Sequence, residues 1–125
     1  MKAIRPMAQA AALVAVLALS ACASQKAPAT ADVAVSRNAV ANAMQAGAAE
    51  LAPVEITAAR SKMMRANEAL AAKDYKLARE LAVQAQADAQ LAQSKANSAK
   101  ATAASNALTE DLRVLRQEVE RANTQ

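Results

Sequence analysis

The chain of 125 residues has no His, Phe or Trp, and it has only one Tyr, one Cys and one Gly. Without His it lacks the side chain most often used as a general base or metal ligand near neutral pH. A single Cys excludes a disulfide bond within the chain. The scarcity of aromatic residues argues against a sheet fold and against a core with large aromatic centres.

Alanine supplies most of the apolar content. Hydrophobic residues make up 54% of the chain, and 39 of the 125 residues are Ala. Ala is the strongest helix former, but its methyl group buries little area. The composition therefore predicts an all-α fold with thin, closely packed helix interfaces.

The N-terminal residues 1–21 have the pattern of an export signal. Lys2 and Arg5 precede an apolar stretch of 13 residues, 7–19, which only Gln9 interrupts. A helix of this length falls short of the ~30 Å of hydrocarbon in a bilayer. The stretch therefore indicates a signal peptide and not a retained transmembrane helix.

The four residues that follow resemble the lipobox of bacterial lipoproteins, Leu19-Ser20-Ala21-Cys22. The resemblance implies cleavage before Cys22, a diacylglyceryl group on its thiol and an acyl group on the new amine, with no other cofactor. Several acyl chains hold a protein stably on a membrane. Ala21-Cys22-Ala23 also fits the Ala-x-Ala pattern of an ordinary signal, which would release a soluble protein.

Ala23 and Ser24 follow the lipobox, with no Asp. In lipoproteins of this type, that implies sorting to the bacterial outer membrane with the body of the protein facing the periplasm. The membrane is then a partner through the lipid anchor.

The basic charge of the chain belongs partly to its signal. The net charge is +4, but residues 22–125 contain 13 cations and 11 acids once Lys2 and Arg5 are removed. These charges are interspersed and lack the stacking aromatics of a nucleic-acid surface. We therefore expect a solvated helix surface and no nucleic-acid partner.

Residues 22–31 are predicted to form a lipidated N-terminus and a flexible tether, because they mix Ala with Ser, Thr, Gln, Lys and Pro. A first helix is expected over 32–46. Asp32 is a candidate N-cap for it, and Gly47 follows where a left-handed C-terminal residue is common.

Two further helices complete the predicted domain, which covers 32–104. The second, 53–72, begins at Pro53, whose missing N–H would be unpaired in a first turn in any case. The third, 74–104, has Asp74 as its candidate N-cap.

Apolar residues recur at alternating spacings of four and three along both helices. On the second helix they are Ala52, Ile56, Ala59, Met63, Ala66 and Leu70. On the third they are Ala78, Ala82, Ala85, Ala89, Ala92, Ala96, Ala99 and Ala103, a row that we call the Ala seam. This heptad spacing predicts a coiled-coil-like antiparallel hairpin that turns at Lys73-Asp74. In that register Leu70 pairs with Ala78, and Ile56 pairs with Ala92.

Three leucines flank the Ala seam: Leu77, Leu81 and Leu91. A short N-terminal helix could cover them. The sequence therefore favours a small arrangement of three helices.

The C-terminal residues 105–125 are predicted to form a helical or coiled-coil extension. Its larger apolar residues, here called the C-terminal stripe, are Leu108, Leu112, Leu115 and Val119. The stripe is offset by two residues from the Ala seam, so either the helix breaks near Ser105-Asn106 or this end faces a different partner. One interpretation is self-association or docking to another envelope protein, and the other is packing back on the hairpin or fraying.

The stretch 48–101 resembles domain-of-unknown-function family 4398, found in exported proteobacterial proteins. The resemblance rests on Leu51-Ala52-Pro53-Val54-Glu55, Ala66-Asn67-Glu68-Ala69-Leu70, Asp74-Tyr75 and Ala78-Arg79-Glu80-Leu81-Ala82. Members occur as short lipoproteins or ahead of a peptidoglycan-binding domain, for which residues after 105 leave no room. The resemblance implies no reaction or ligand, and peptidoglycan binding is unsupported.

Two other resemblances are narrower. Residues 70–75 with Ala78 are similar to the turn of a tetratricopeptide repeat, of which one unit is visible where about three are needed. The overall plan resembles the murein lipoprotein, whose last residue is a Lys joined to peptidoglycan. This chain ends Asn123-Thr124-Gln125, so no such attachment is expected.

The sequence thus predicts a lipid-anchored structural or interaction protein, a spacer or accessory subunit, without catalytic activity. The sequence has no His, no phosphate-binding loop and no metal-ligand cluster, so it offers no support for an enzyme. The alternative is a tetratricopeptide-like adaptor that binds a peptide or an assembly partner in the periplasm.

Overall fold

The computed structural model describes the backbone of residues 4–124 and the side chains of residues 25–124. It contains four helices: α1 (Ile4–Gln45), α2 (Ala48–Leu51), α3 (Pro53–Ala71) and α4 (Tyr75–Asn123). The described backbone contains no strand, which confirms the all-α class. Among the described residues, no helix combines the length and apolar character needed to cross a membrane.

The helix boundaries follow from local chemistry. The Asp74 carboxylate caps α4 by accepting a hydrogen bond from the backbone N–H of Leu77 at 3.1 Å. Pro53 is the first residue of α3. Gly47, with φ of 81°, lies between α1 and α2 in the left-handed conformation that a residue without Cβ adopts freely.

Two ion pairs fix the relative direction of α3 and α4. Lys62 Nζ lies 2.6 Å from Asp88 Oδ2, and Lys95 donates a hydrogen bond to the Glu55 carboxylate. Seven residues back along α3 thus correspond to seven residues forward along α4, so the two helices are antiparallel. The hydrogen bond from Lys95 holds the pKa of Glu55 below its ordinary value of 4.5.

Helix α1 packs parallel to α4 and antiparallel to α3. Near one end Val33 packs in a cluster with Ala66 and Ala82, and near the other Val40 packs in a cluster with Ala59 and Ala92. Polar contacts agree: Arg79 Nε lies 2.8 Å from Asp32 Oδ2, and Arg37 donates to Asn67 Oδ1 at 3.0 Å. Contacts of α4 with α1 and α3 are far more extensive than those between α1 and α3, so α4 is the central helix.

The Ala seam supplies the buried face of α4. Its fully buried members are Ala78, Ala82, Ala85, Ala89, Ala92 and Ala96. On α3 the residues at the expected positions are buried (Ala52, Ile56, Ala59 and Ala66) or half-buried (Met63 and Leu70). These residues form two adjoining clusters, and the individual residue pairs remain a prediction.

A third row of small or medium residues lies on α1, where the sequence shows only a weak apolar stripe of Val33, Val40 and Met44. Its members recur at four and three and are all buried: Ala29, Val33, Ser36, Val40 and Ala43. The buried Ser36 hydroxyl donates to the carbonyl oxygen of Val33 at 3.3 Å, which satisfies it within its own helix. All three long helices therefore meet through rows of small or medium side chains.

The predicted tether and first helix need correction. Residues 25–31 belong to α1, and the burial of Ala29 explains why, since packing against the bundle continues past the expected start at 32. Asp32 is not an N-cap, because it lies in the interior of α1. Its carboxylate binds Arg79. Pro28 is accommodated inside α1, where it withholds one backbone hydrogen bond.

Helix α4 also differs from the prediction. It continues through Ser105 and Asn106 to Asn123, which excludes a break there, one of the two alternatives that the sequence left open. Of the leucines beside the Ala seam, Leu81 is buried near Val33, whereas Leu77 and Leu91 stay exposed. The short helix α2 was not predicted, because four residues carry too little periodicity.

Enlarging one methyl of the Ala seam should force the helices apart. We expect Ala89→Leu to lower the free energy of unfolding by about 1–3 kcal/mol, because the fully buried site has no space for three more carbons. Ala87→Leu on the exposed face of the same helix is the matched control. Urea unfolding followed by circular dichroism measures both, and equal stability of the two variants would contradict the packing.

Gly47→Ala should destabilise the junction of α1 and α2. A left-handed φ costs a residue with a side chain about 1–2 kcal/mol, whereas the added Cβ would meet only the flexible end of Lys100, whose Nζ lies 3.4 Å away. Lys73 is the other described residue with a left-handed backbone, with φ of 63°. Replacing it by Gly gives the opposite change for comparison. Lys73→Gly should leave the unfolding midpoint unchanged or raise it, and a similar loss in both variants would refute the explanation.

Candidate interaction surface

The predicted lipidation site lies at the beginning of the bundle. Leu19, Ser20, Ala21 and Cys22 fall within the backbone range of α1, but their side chains lie outside the described residues. The first described side chain, Gln25, shares a depression of about 460 Å³ with Lys76, Arg79 and Glu80 on α4, and with Val83 and Gln84. Three residues of chain reach at most ~11 Å, so Cys22 belongs to the end of the bundle where α4 begins.

The opposite end of α4 projects beyond the bundle. Ala96 is the last fully buried residue, Ala99 is half-buried, and every described residue from 101 to 124 is exposed. The ends of α1 and α2 mark the same limit, since Gly47 lies beside Lys100. Residues 101–123 therefore form a single helical arm about 34 Å long at 1.5 Å per residue.

The arm carries the C-terminal stripe. The exposed fractions of its residues are 61% for Leu108, 46% for Leu112, 59% for Leu115 and 58% for Val119. The expectation that the stripe packs back on the hairpin or frays is therefore wrong for the described structure. Val114, 43% exposed, lies outside the four-three spacing and was missed by the sequence analysis.

The stripe lies on a side of α4 that the bundle does not cover. At about 100° per residue, the unbroken helix turns by a net angle of about 120° from Ala96, the last fully buried residue of the Ala seam, to Leu108. Extending α1 or α3 along the Ala seam would not cover it. The stripe is thus an independent apolar face of α4, and clusters of this kind are typical of contact with another protein.

Ion pairs on the arm join residues of the same helix. Arg113 contacts both carboxylate oxygens of Glu110, at 2.6 and 2.9 Å, and Arg121 lies 2.6 Å from Glu118. The bidentate contact lowers the pKa of Glu110 and raises the pKa of Arg113. These pairs support the helix locally and do not connect it to the bundle.

The acidic groups of the described side chains are spread along the helices. No group of three or more His, Cys, Asp or Glu residues among them could hold a metal ion. Lys62, Arg79 and Lys95 are engaged in the cross-helix ion pairs. The arrangement is suited to contact through an apolar helix face.

The Glu110–Arg113 pair predicts a local pH dependence. The pKa of Glu110 is lowered from 4.5 in the folded arm. The stabilisation that Glu110 gives is therefore present above pH 4.5 and is lost as the pH falls through the lowered pKa. Arg113→Gln should return the pKa of Glu110 to about 4.5, measured by carbon NMR of its carboxyl group. Arg121→Gln, which breaks the other pair, should leave that pKa low, and a similar shift in both variants would contradict the assignment.

Comparison with known proteins agrees with the resemblance noted in the sequence. No curated protein matches the chain significantly. No solved structure does so either. The family described as "Domain of unknown function (DUF4398)" matches residues 31–108, which run from α1 through the buried part of α4 to the first residue of the stripe. The chain therefore belongs to the DUF4398 family.

Proposed function

We propose that this protein is a lipid-anchored spacer or accessory subunit on the periplasmic face of the bacterial outer membrane. One observation carries the proposal: the predicted lipidation site and the C-terminal stripe belong to opposite ends of an elongated bundle. A protein built in this way would present an apolar helix face at a fixed distance from the membrane.

The length of α4 sets that distance. The helix has 49 residues, so it is about 74 Å long at 1.5 Å per residue. Gln25, three residues after Cys22, lies beside the first turns of α4, and Val119 lies near the last. An anchor at Cys22 would therefore hold the stripe tens of ångströms from the lipid.

The packing favours a stiff body. Ion pairs join α1 to α4 and α3 to α4, and fully buried Ala residues run from Ala78 to Ala96. Closely packed helices with rigid contacts transmit strain instead of deforming. A stiff body supports a role in spacing or presentation.

The absence of catalytic activity belongs to the same proposal. The whole sequence lacks His, and its only Cys is the predicted lipidation site. The remaining chemistry suits association and anchoring.

The alternative function, a tetratricopeptide-like adaptor, has less support. Such an adaptor binds its ligand on stacked helical hairpins. The described part of this chain has only three long helices, α1, α3 and α4, and α4 then continues to Asn123. The spacer model uses this length, whereas the adaptor model leaves it unexplained.

Mass spectrometry of the protein's N-terminus tests the anchor. We expect Cys22 as the first residue, with a diacylglyceryl and an acyl group, whereas an ordinary signal cleaved after Ala23 would leave an unmodified Ser24. Cys22→Ser should abolish incorporation of labelled fatty acid, and Ser24→Ala should retain it. An unmodified N-terminus, or labelling that survives Cys22→Ser, would refute the anchor.

Membrane fractionation of bacteria that produce the protein tests its sorting to the outer membrane. The native protein should fractionate with the outer membrane on a density gradient, and Ala23→Asp should move it to the inner membrane. Native protein found in the inner-membrane fraction would refute the proposed location.

A further inference from the structure

The C-terminal stripe follows the heptad pattern of a two-stranded coiled coil. With Leu108 and Leu115 at positions d, Leu112 and Val119 fall at positions a. Leu at d with a β-branched residue at a favours parallel dimers, and Val119 provides that combination, whereas Leu112 fills the other large position a. Ala101 and Ala122 at d and Ser105 at a continue the same face in both directions.

We propose that the stripe is covered by a second copy of this chain, which forms a parallel two-stranded coiled coil with residues 101–122. This inference concerns the arm of α4 alone and does not depend on the lipid anchor or on the spacer role. It assigns both the occupant of the stripe and its direction.

Charge complementarity selects the second copy and its direction. Asp111 occupies a position g and Arg116 the following position e, five residues later, which is the spacing that meets across a parallel dimer. Two symmetric pairs would form, each joining Asp111 of one copy to Arg116 of the other. Within the described residues, neither side chain has an ion-pair partner in its own chain.

An antiparallel dimer would place like charges together. In that arrangement positions g face each other, so Asp111 would meet Glu118 of the second copy. The ion pairs within each arm, Arg113 with Glu110 and Arg121 with Glu118, do not involve Asp111 or Arg116. Both residues therefore stay available for the contacts between the two copies.

The bundle leaves room for a parallel partner. The stripe residues lie about 100–160° around α4 from Ala96 at about 100° per residue, and every described residue of the arm is exposed. Two arms can therefore approach along the stripe while α1 and α3 of each copy stay on the far side. Both N-terminal ends then lie at the same end of the dimer.

Sedimentation equilibrium tests the proposal on the full chain, in detergent that disperses its apolar N-terminus. The native chain should form a dimer. Asp111→Arg should weaken dimerisation about tenfold, because both pairs change from attraction to repulsion. Arg116→Asp should have the same effect, and the double variant should restore the native affinity. Glu80→Arg makes the same charge change in the bundle part of α4 and should have no effect.

Disulfide formation tests the direction independently. In a Cys22→Ser background, Ser105→Cys places a thiol at a position a, where a parallel dimer brings the two copies within disulfide range. Asn106→Cys, the matched control, lies at the adjacent outward position. Oxidation should give a disulfide dimer with residue 105 and not with residue 106.

Several results would overturn the proposal. They are a native chain that stays monomeric at millimolar concentration, a native trimer, and equal crosslinking at residues 105 and 106. Tighter association of Asp111→Arg would also overturn it, because that result indicates an antiparallel pair. Circular dichroism of each variant should match the native chain, since the arm does not contact the bundle. An unfolded Asp111→Arg variant would also contradict the structure on which the proposal rests.

Discussion

The distance between α4 and its neighbours is set by a row of methyl groups. Each fully buried Ala of α4 contributes only one side-chain carbon to the interface, so the axes can approach toward the short end of ~8–10 Å. The rest of the bundle accommodates this approach. Larger side chains such as Ile56 come from the partner helix, and long charged side chains such as Lys62 reach around the interface to their carboxylates.

A single helix carries two surfaces because its phase changes without a break. The buried row ends near Ala96, and a second apolar row begins at Leu108 on a different side of the helix, about 120° away. The unbroken backbone separates an internal face from an external one, so changes in the arm can alter association without altering the core.

Periodic and local signals were predictable from the sequence. The burial along α4, the cap at Asp74 and the left-handed Gly47 each depend on residues close together in the chain. The extent of α1 was not predictable in this way, because Pro28 and Asp32 suggest a helix start and Ser36 hides the row of small residues. Exposure of the stripe was equally hidden, since it depends on where α1 and α3 end. The lipobox rests on a motif alone, and its side chains lie outside the described residues.

The methyl-lined core has a consequence for the thermodynamics of unfolding. The heat-capacity change of unfolding scales with the apolar area exposed, and it averages about 12–15 cal/mol/K per residue in globular proteins. Ala contributes most of the fully buried residues here and exposes little area on unfolding. The stability curve of this bundle is therefore flatter than that of an aromatic-centred domain of the same length, and its folding free energy changes little with temperature around its maximum.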